Sequence, residues 1–91
     1  MRSVFIDLPT VEAVQEFVHR ISPLEGNFDL ISGGYVLDAK SLMGVLSLDL
    51  SNPINLKIEI DTPETMHAIE RFLSSKRNTR KERIDLQEKR V

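Results

Sequence analysis

Ninety-one residues, 41% apolar and free of cysteine, leave room for one thin-cored domain and exclude disulfides, thiolate chemistry and Cys-ligated zinc. No apolar run approaches the about 18 residues of a membrane span, and no basic-then-apolar segment opens the chain, so the expected compartment is the cytoplasm. The net charge of −2 averages two unlike parts: residues 1–75 hold five Lys/Arg against eleven Asp/Glu, whereas residues 76–91 hold seven against three. The expected organisation is an acidic domain over 1–75 followed by a basic tail or helix extension over 76–91.

Positions 2–8 alternate, with Val4, Ile6 and Leu8 on one face and Ser3, Phe5 and Asp7 on the other, which predicts a strand. Pro9 breaks it, and Thr10 is the natural cap of a helix whose apolar stripe is Val11, Val14, Phe17, Val18 and Ile21. Ser22-Pro23 ends this helix and Gly26-Asn27 turns the chain. Phe28, Leu30 and Ile31 centre a second strand, joined through the hairpin signal Gly33-Gly34 to a third at Tyr35, Val36 and Leu37.

Asp38 then reads as the cap of a brief helix from about Lys40 to Leu46, in which Gly44 costs about 1 kcal/mol against alanine. Asn52-Pro53 turns again, and Ile54, Leu56, Ile58 and Ile60 alternate with polar residues in the cleanest strand of the chain. Asp61-Thr62-Pro63-Glu64 starts the last helix, with Thr62 as cap, proline at the first position and acid in the first turn. Its buried stripe is Met66, Ile69, Phe72 and Leu73. Four amphipathic strands and three helices predict an α+β domain: a mostly antiparallel sheet covered by helices on one side.

Few side chains point to chemistry. His19 and His67 stand three residues from Glu16 and Glu70, a spacing too common in charged helices to imply a metal site. Neither a metal nor a cofactor is expected. Glu12 and Glu16, Asp29 and Asp49 read as members of a solvated acidic face. No nucleophile elbow, phosphate-cradling loop or dinucleotide fingerprint occurs, so an enzyme is not expected. In the brief helix, Leu42, Met43 and Leu46 cannot all face one thin core, which leaves part of it as a candidate partner contact, with plain core packing as the other reading. Ser41, in its first turn, would tolerate a phosphate. The tail's Lys/Arg run attracts phosphate backbones, but the acidic body and the lack of a stacking platform make nucleic acid an unexpected partner. A solvated tail, or a helix extension that pairs with the acidic body or with a second copy, is the simpler reading.

The segment Asp38-Ala39-Lys40-Ser41-Leu42-Met43-Gly44-Val45-Leu46-Ser47-Leu48 resembles the regulatory-serine segment of HPr, the histidine-containing phosphocarrier family of the sugar phosphotransferase system. The element order around it, over about residues 3–74, is similar as well. The resemblance implies an open-faced β-sandwich with strand order 1-4-2-3. It also implies a phosphohistidine at the start of the first helix, followed by alanine, arginine and proline. Counted back from Lys40-Ser41, those positions hold Thr10, Val11, Glu12 and Ala13. Threonine cannot form a labile phosphoramidate, and glutamate repels a phosphoryl group where arginine would clamp it. His19 lies about 13 Å further along the helix axis, too far to substitute.

The resemblance also implies that Ser41 is a candidate for regulatory phosphorylation and that Leu42, Met43 and Leu46 are partner contacts. The expected function is therefore a non-catalytic HPr-like regulatory or protein-interaction module. The alternative is a phosphocarrier that uses a displaced acceptor or serine phosphorylation. Expected partners are phosphotransferase-system or regulatory proteins, or a second copy of the chain.

Overall fold

Alternating strands and capped helices assemble, in the computed structural model, as β1 (Arg2–Ile6), α1 (Val11–Ile21), β2 (Phe28–Ser32), β3 (Tyr35–Asp38), α2 (Leu42–Leu46), β4 (Ile54–Ile58) and α3 (Pro63–Ile69). A 3-10 turn, Glu70–Phe72, follows α3. The structure describes residues 1–74, so the basic tail expected over 76–91 lies outside the described residues.

The four strands form one antiparallel sheet in the order β1-β4-β2-β3. Pairing sets Val4 beside Leu56, Leu56 beside Leu30 and Leu30 beside Leu37, so one row of aliphatic side chains crosses the sheet. With Ile6, Phe28, Ile54 and Ile58 this row makes the inner face. Helices α1 and α3 and the 3-10 turn lay Val14, Phe17, Ile21, Ile69 and Phe72 against it, all buried. Phe17 and Phe72 meet edge to face, with ring centroids 5.5 Å apart and planes at 82°.

Local chemistry accounts for the element ends. Thr62 caps α3 by accepting from the Thr65 N–H at 3.1 Å, as its Thr-Pro-Glu start predicts. Gly26, at φ +90°, turns the chain where a Cβ would stand 2.9 Å from Ile60 Cγ1, so glycine is required there both by conformation and by space. In the turn before Pro53, the Ser51 hydroxyl and N–H donate to Asp49 and hold its carboxyl below the usual carboxylate range.

Four expectations need correction. Val11, read as part of the apolar stripe of α1, is the helix's first residue and is 53% exposed, and the buried stripe begins at Val14. Asp38 does not cap α2. It stays in the sheet opposite Asp29, its carboxylate accepts the Lys40 N–H at 2.9 Å, and the helix begins later, with Ser41 as cap. The alternation in β4 outruns the strand: Arg2 and Phe28, the partners of Ile58, are the first residues of their strands, so Ile60 leaves the ladder and is partly exposed. The stripe of the last helix spans two elements, because α3 tightens into the 3-10 turn before Phe72.

Candidate functional site

The start of α1 and the neighbouring α2 carry the positions matched to a phosphoryl acceptor, a regulatory serine and a partner contact: Thr10, Glu12, Ser41, Leu42, Met43 and Leu46. Pro9 precedes Thr10, whose backbone is extended at φ −138° and whose hydroxyl accepts the Ala13 N–H at 3.0 Å. One of the free N–H groups that begin any helix is thus taken by the chain's own side chain. Glu12 is exposed in the same turn, where the helix dipole favours its negative charge. Threonine and glutamate therefore act here as helix-start residues, and neither needs a ligand to explain its place. Thr10→Ala should cost about 1 kcal/mol, seen as a lower urea midpoint with an unchanged slope.

Helix α2 packs on α1 and on β3. Ser41 caps it, accepting the Gly44 N–H at 3.4 Å, and the Ser47 hydroxyl closes the other end on the Gly44 carbonyl at 2.6 Å. The glycine has a steric reason, since a Cβ on Gly44 would come within 3.2 Å of Ser41 Oγ. Val45 is fully buried, Leu42 and Leu46 are half-buried against the core, and Met43 is 76% exposed. Of the three residues singled out for partner contact, Met43 is the one presented outright to solvent. Ser41 is exposed beside it. Lys40 is anchored: its Nζ donates to the Leu24 carbonyl at 2.6 Å and lies 5.3 Å from the Phe28 ring centroid.

The carboxylates and histidines take structural positions. Glu16 accepts from Arg20 at 3.0 Å and from Arg71 at 2.7 Å, tying α1 to the 3-10 turn. Its spacing to Arg20 is legible in sequence, whereas its bond to Arg71 is not. His19 is exposed on α1, and exposed His67 stands 3.6 Å from Glu70. Among the described residues no three His, Asp or Glu side chains cluster as metal ligands would. A pocket of about 260 Å³, lined in part by Leu24, Glu25, Ile60 and Thr65, lies past the opposite end of α1 from Thr10. No helix among the described residues is long and apolar enough to cross a membrane.

A four-stranded antiparallel sheet in the order 1-4-2-3, with three helices on one face, is the HPr-like α+β fold. Among solved structures, the chain is similar to the crystal structure of HPr-C-His from Thermoanaerobacter tengcongensis. The two share 26% sequence identity with a TM-score of 0.68, over 84% of this chain and 94% of that one. No family model matches the chain, and no curated protein matches it in sequence.

Proposed function

We propose that this protein is a non-catalytic HPr-like interaction or regulatory module that does not carry a phosphoryl group on histidine. The observation that carries the reading is the start of α1. A phosphohistidine carrier needs an imidazole with free N–H donors and a cation nearby, and here the Thr10 hydroxyl takes up the Ala13 N–H with Glu12 in the same turn. His19 cannot stand in, because nine residues of unbroken helix separate it from Thr10 by about 13 Å.

The surface left for function is apolar and small. Met43 and Val11 are exposed on the packed pair α1 and α2, and Ser41 is exposed at the cap of α2. Such a surface suits a protein partner, with the unbranched Met43 as an adaptable anchor. Phosphorylation of Ser41 would set a dianion beside that anchor, giving the module a switch. Partners from a phosphotransferase system and a cytoplasmic location belong to this same reading.

The test is incubation of the full chain with the general phosphotransferase enzyme and phosphoenolpyruvate. The expected result is no acid-labile phosphate. Acid-labile phosphate on His19 or His67 would overturn the reading in favour of a carrier with a displaced acceptor.

A further inference from the structure

One edge of the sheet is occupied and the other is open. At β1, Leu73 bridges Ile6, the Asp7 N–H donates to the Phe72 carbonyl at 2.8 Å, and the Ser74 N–H donates to the Phe5 carbonyl at 2.9 Å. Strand β3 forms the opposite edge and pairs with β2 alone. The Ala39 N–H donates to the Phe28 carbonyl at 2.7 Å, and this fixes which groups turn inward. Hydrogen-bonded pairs alternate along an antiparallel ladder, so Leu37 and Tyr35 exchange bonds with Leu30 and Ser32, while Val36 and Asp38 turn their N–H and C=O groups away from β2. The Asp38 carbonyl accepts the Ser41 N–H at 3.0 Å. The Val36 N–H and C=O and the Asp38 N–H take no partner among the described residues.

The side chains on this edge are complementary to a second copy of themselves. Tyr35 and Leu37 share the helix side of the sheet, while Val36 and Asp38 stand on its outer face beside Ile31 and Asp29. Tyr35 is 72% and Val36 65% exposed. No proline, lysine or bulge blunts the edge, and the four pairs with β2 are unbroken. Asp38, at the end of the strand, carries its one charge. Antiparallel pairing about a twofold axis at Val36 sets Val36 against Val36 of the second copy and Tyr35 against Leu37. Asp38 then stands opposite Gly34, with the two carboxylates at opposite ends of the junction. A slip of one residue would set outer side chains against helix-side ones, and a slip of two would set Asp38 against the apolar Val36. Parallel pairing in register would bring the two carboxylates together.

We propose that β3 is a self-pairing edge: two copies of the chain join β3 to β3, antiparallel about Val36, into one continuous sheet. Each Val36 N–H donates to the Val36 carbonyl of the second copy, and each Asp38 N–H faces Gly34 beyond it. An edge of four residues falls short of the about 1,200 Å² that a stable interface buries, so the dimer is weak and reversible. This surface is separate from the exposed Met43 on α2 and needs no phosphoryl group, so it stands apart from the regulatory reading.

The test takes the isotope-labelled full chain up to about 1 mM, where a transient interface is populated. Raising the concentration should move the amide signals of Gly34, Tyr35, Val36 and Asp38 most, while sedimentation equilibrium shows the mean mass rising toward that of two chains. Val36→Lys, at an exposed position, sets two like charges on the axis and should weaken association by about tenfold or more, with the urea midpoint unchanged. Because the chain has no cysteine, Val36→Cys should cross-link into a disulfide dimer faster than Met43→Cys, since position 36 meets itself on the axis. Shifts centred on Val11 and Met43, or equal cross-linking of the two cysteine variants, would overturn the proposal. So would a chain that stays monomeric at the highest concentration, which would leave the edge to an extended strand of another protein.

Discussion

With the general phosphotransferase enzyme and phosphoenolpyruvate, the double variant Thr10→His/Glu12→Arg should take up acid-labile phosphate. The parent chain and Thr10→His alone should take up far less. The single change supplies an imidazole at the cap and releases the Ala13 N–H that the threonine hydroxyl now occupies. It leaves Glu12, however, in the same turn. At about 6 Å and an effective dielectric between 20 and 80, a carboxylate opposes a dianionic phosphoryl group by about 1.5–5 kcal/mol. That is a factor of about ten to several thousand in the phosphorylation equilibrium. Arginine at the same position reverses the sign of the interaction and adds donors with the fork geometry that phosphate accepts. The measurement is incorporation of labelled phosphate with its loss in acid. Equal uptake by the single and double variants would show that Glu12 is not the obstacle. The cap exchange itself should cost about 1 kcal/mol of stability, so the fold remains a fair background for the comparison.

How far the residues alone reveal this molecule depends on the range of the interactions involved. The extent of α1 follows from neighbours in sequence: the 3- and 4-residue spacing of Val14, Phe17, Val18 and Ile21, the cap Thr10 and the stop at Ser22-Pro23. Where two local signals compete, tertiary contact decides. Asp38 and Ser41 are both good caps, but pairing with Asp29 keeps Asp38 in the sheet and passes the role to Ser41. Thr65 is buried at 2% exposure, although nothing in its type announces it. Its place in the first turn of α3, under the Thr62 cap, puts it there. The position of Thr10 at the helix start was legible because a cap is a local event. The strand order 1-4-2-3 came through resemblance, and the outer acidic face required the register. There Asp29 stands between Asp38 and Lys57, partners distant in sequence that meet only through strand pairing.

Phe17→Ala should destabilise the domain by about 3–5 kcal/mol, about a third or more of its stability at room temperature, and Met43→Ala should leave its stability within about 0.5 kcal/mol of the parent. Phe17 is fully buried, stands in the middle of α1 and meets Phe72 edge to face at 5.5 Å. Truncation therefore removes a phenyl ring from water-free surroundings and opens a cavity that must be lined by α1, the sheet and the 3-10 turn. Losses of this kind run to about 3–5 kcal/mol. A described domain of 74 residues has about 4–11 kcal/mol to lose at ordinary stabilities per residue. The damage extends beyond the core. Phe72 holds the carbonyl that accepts the Asp7 N–H, so loosening its ring also loosens the pairing that guides the chain past β1. Urea titration followed by circular dichroism should show the midpoint falling steeply for Phe17→Ala and hardly moving for Met43→Ala. A large loss for Met43→Ala would mean that its side chain is held by packing, and α2 would then have no exposed anchor to offer a partner.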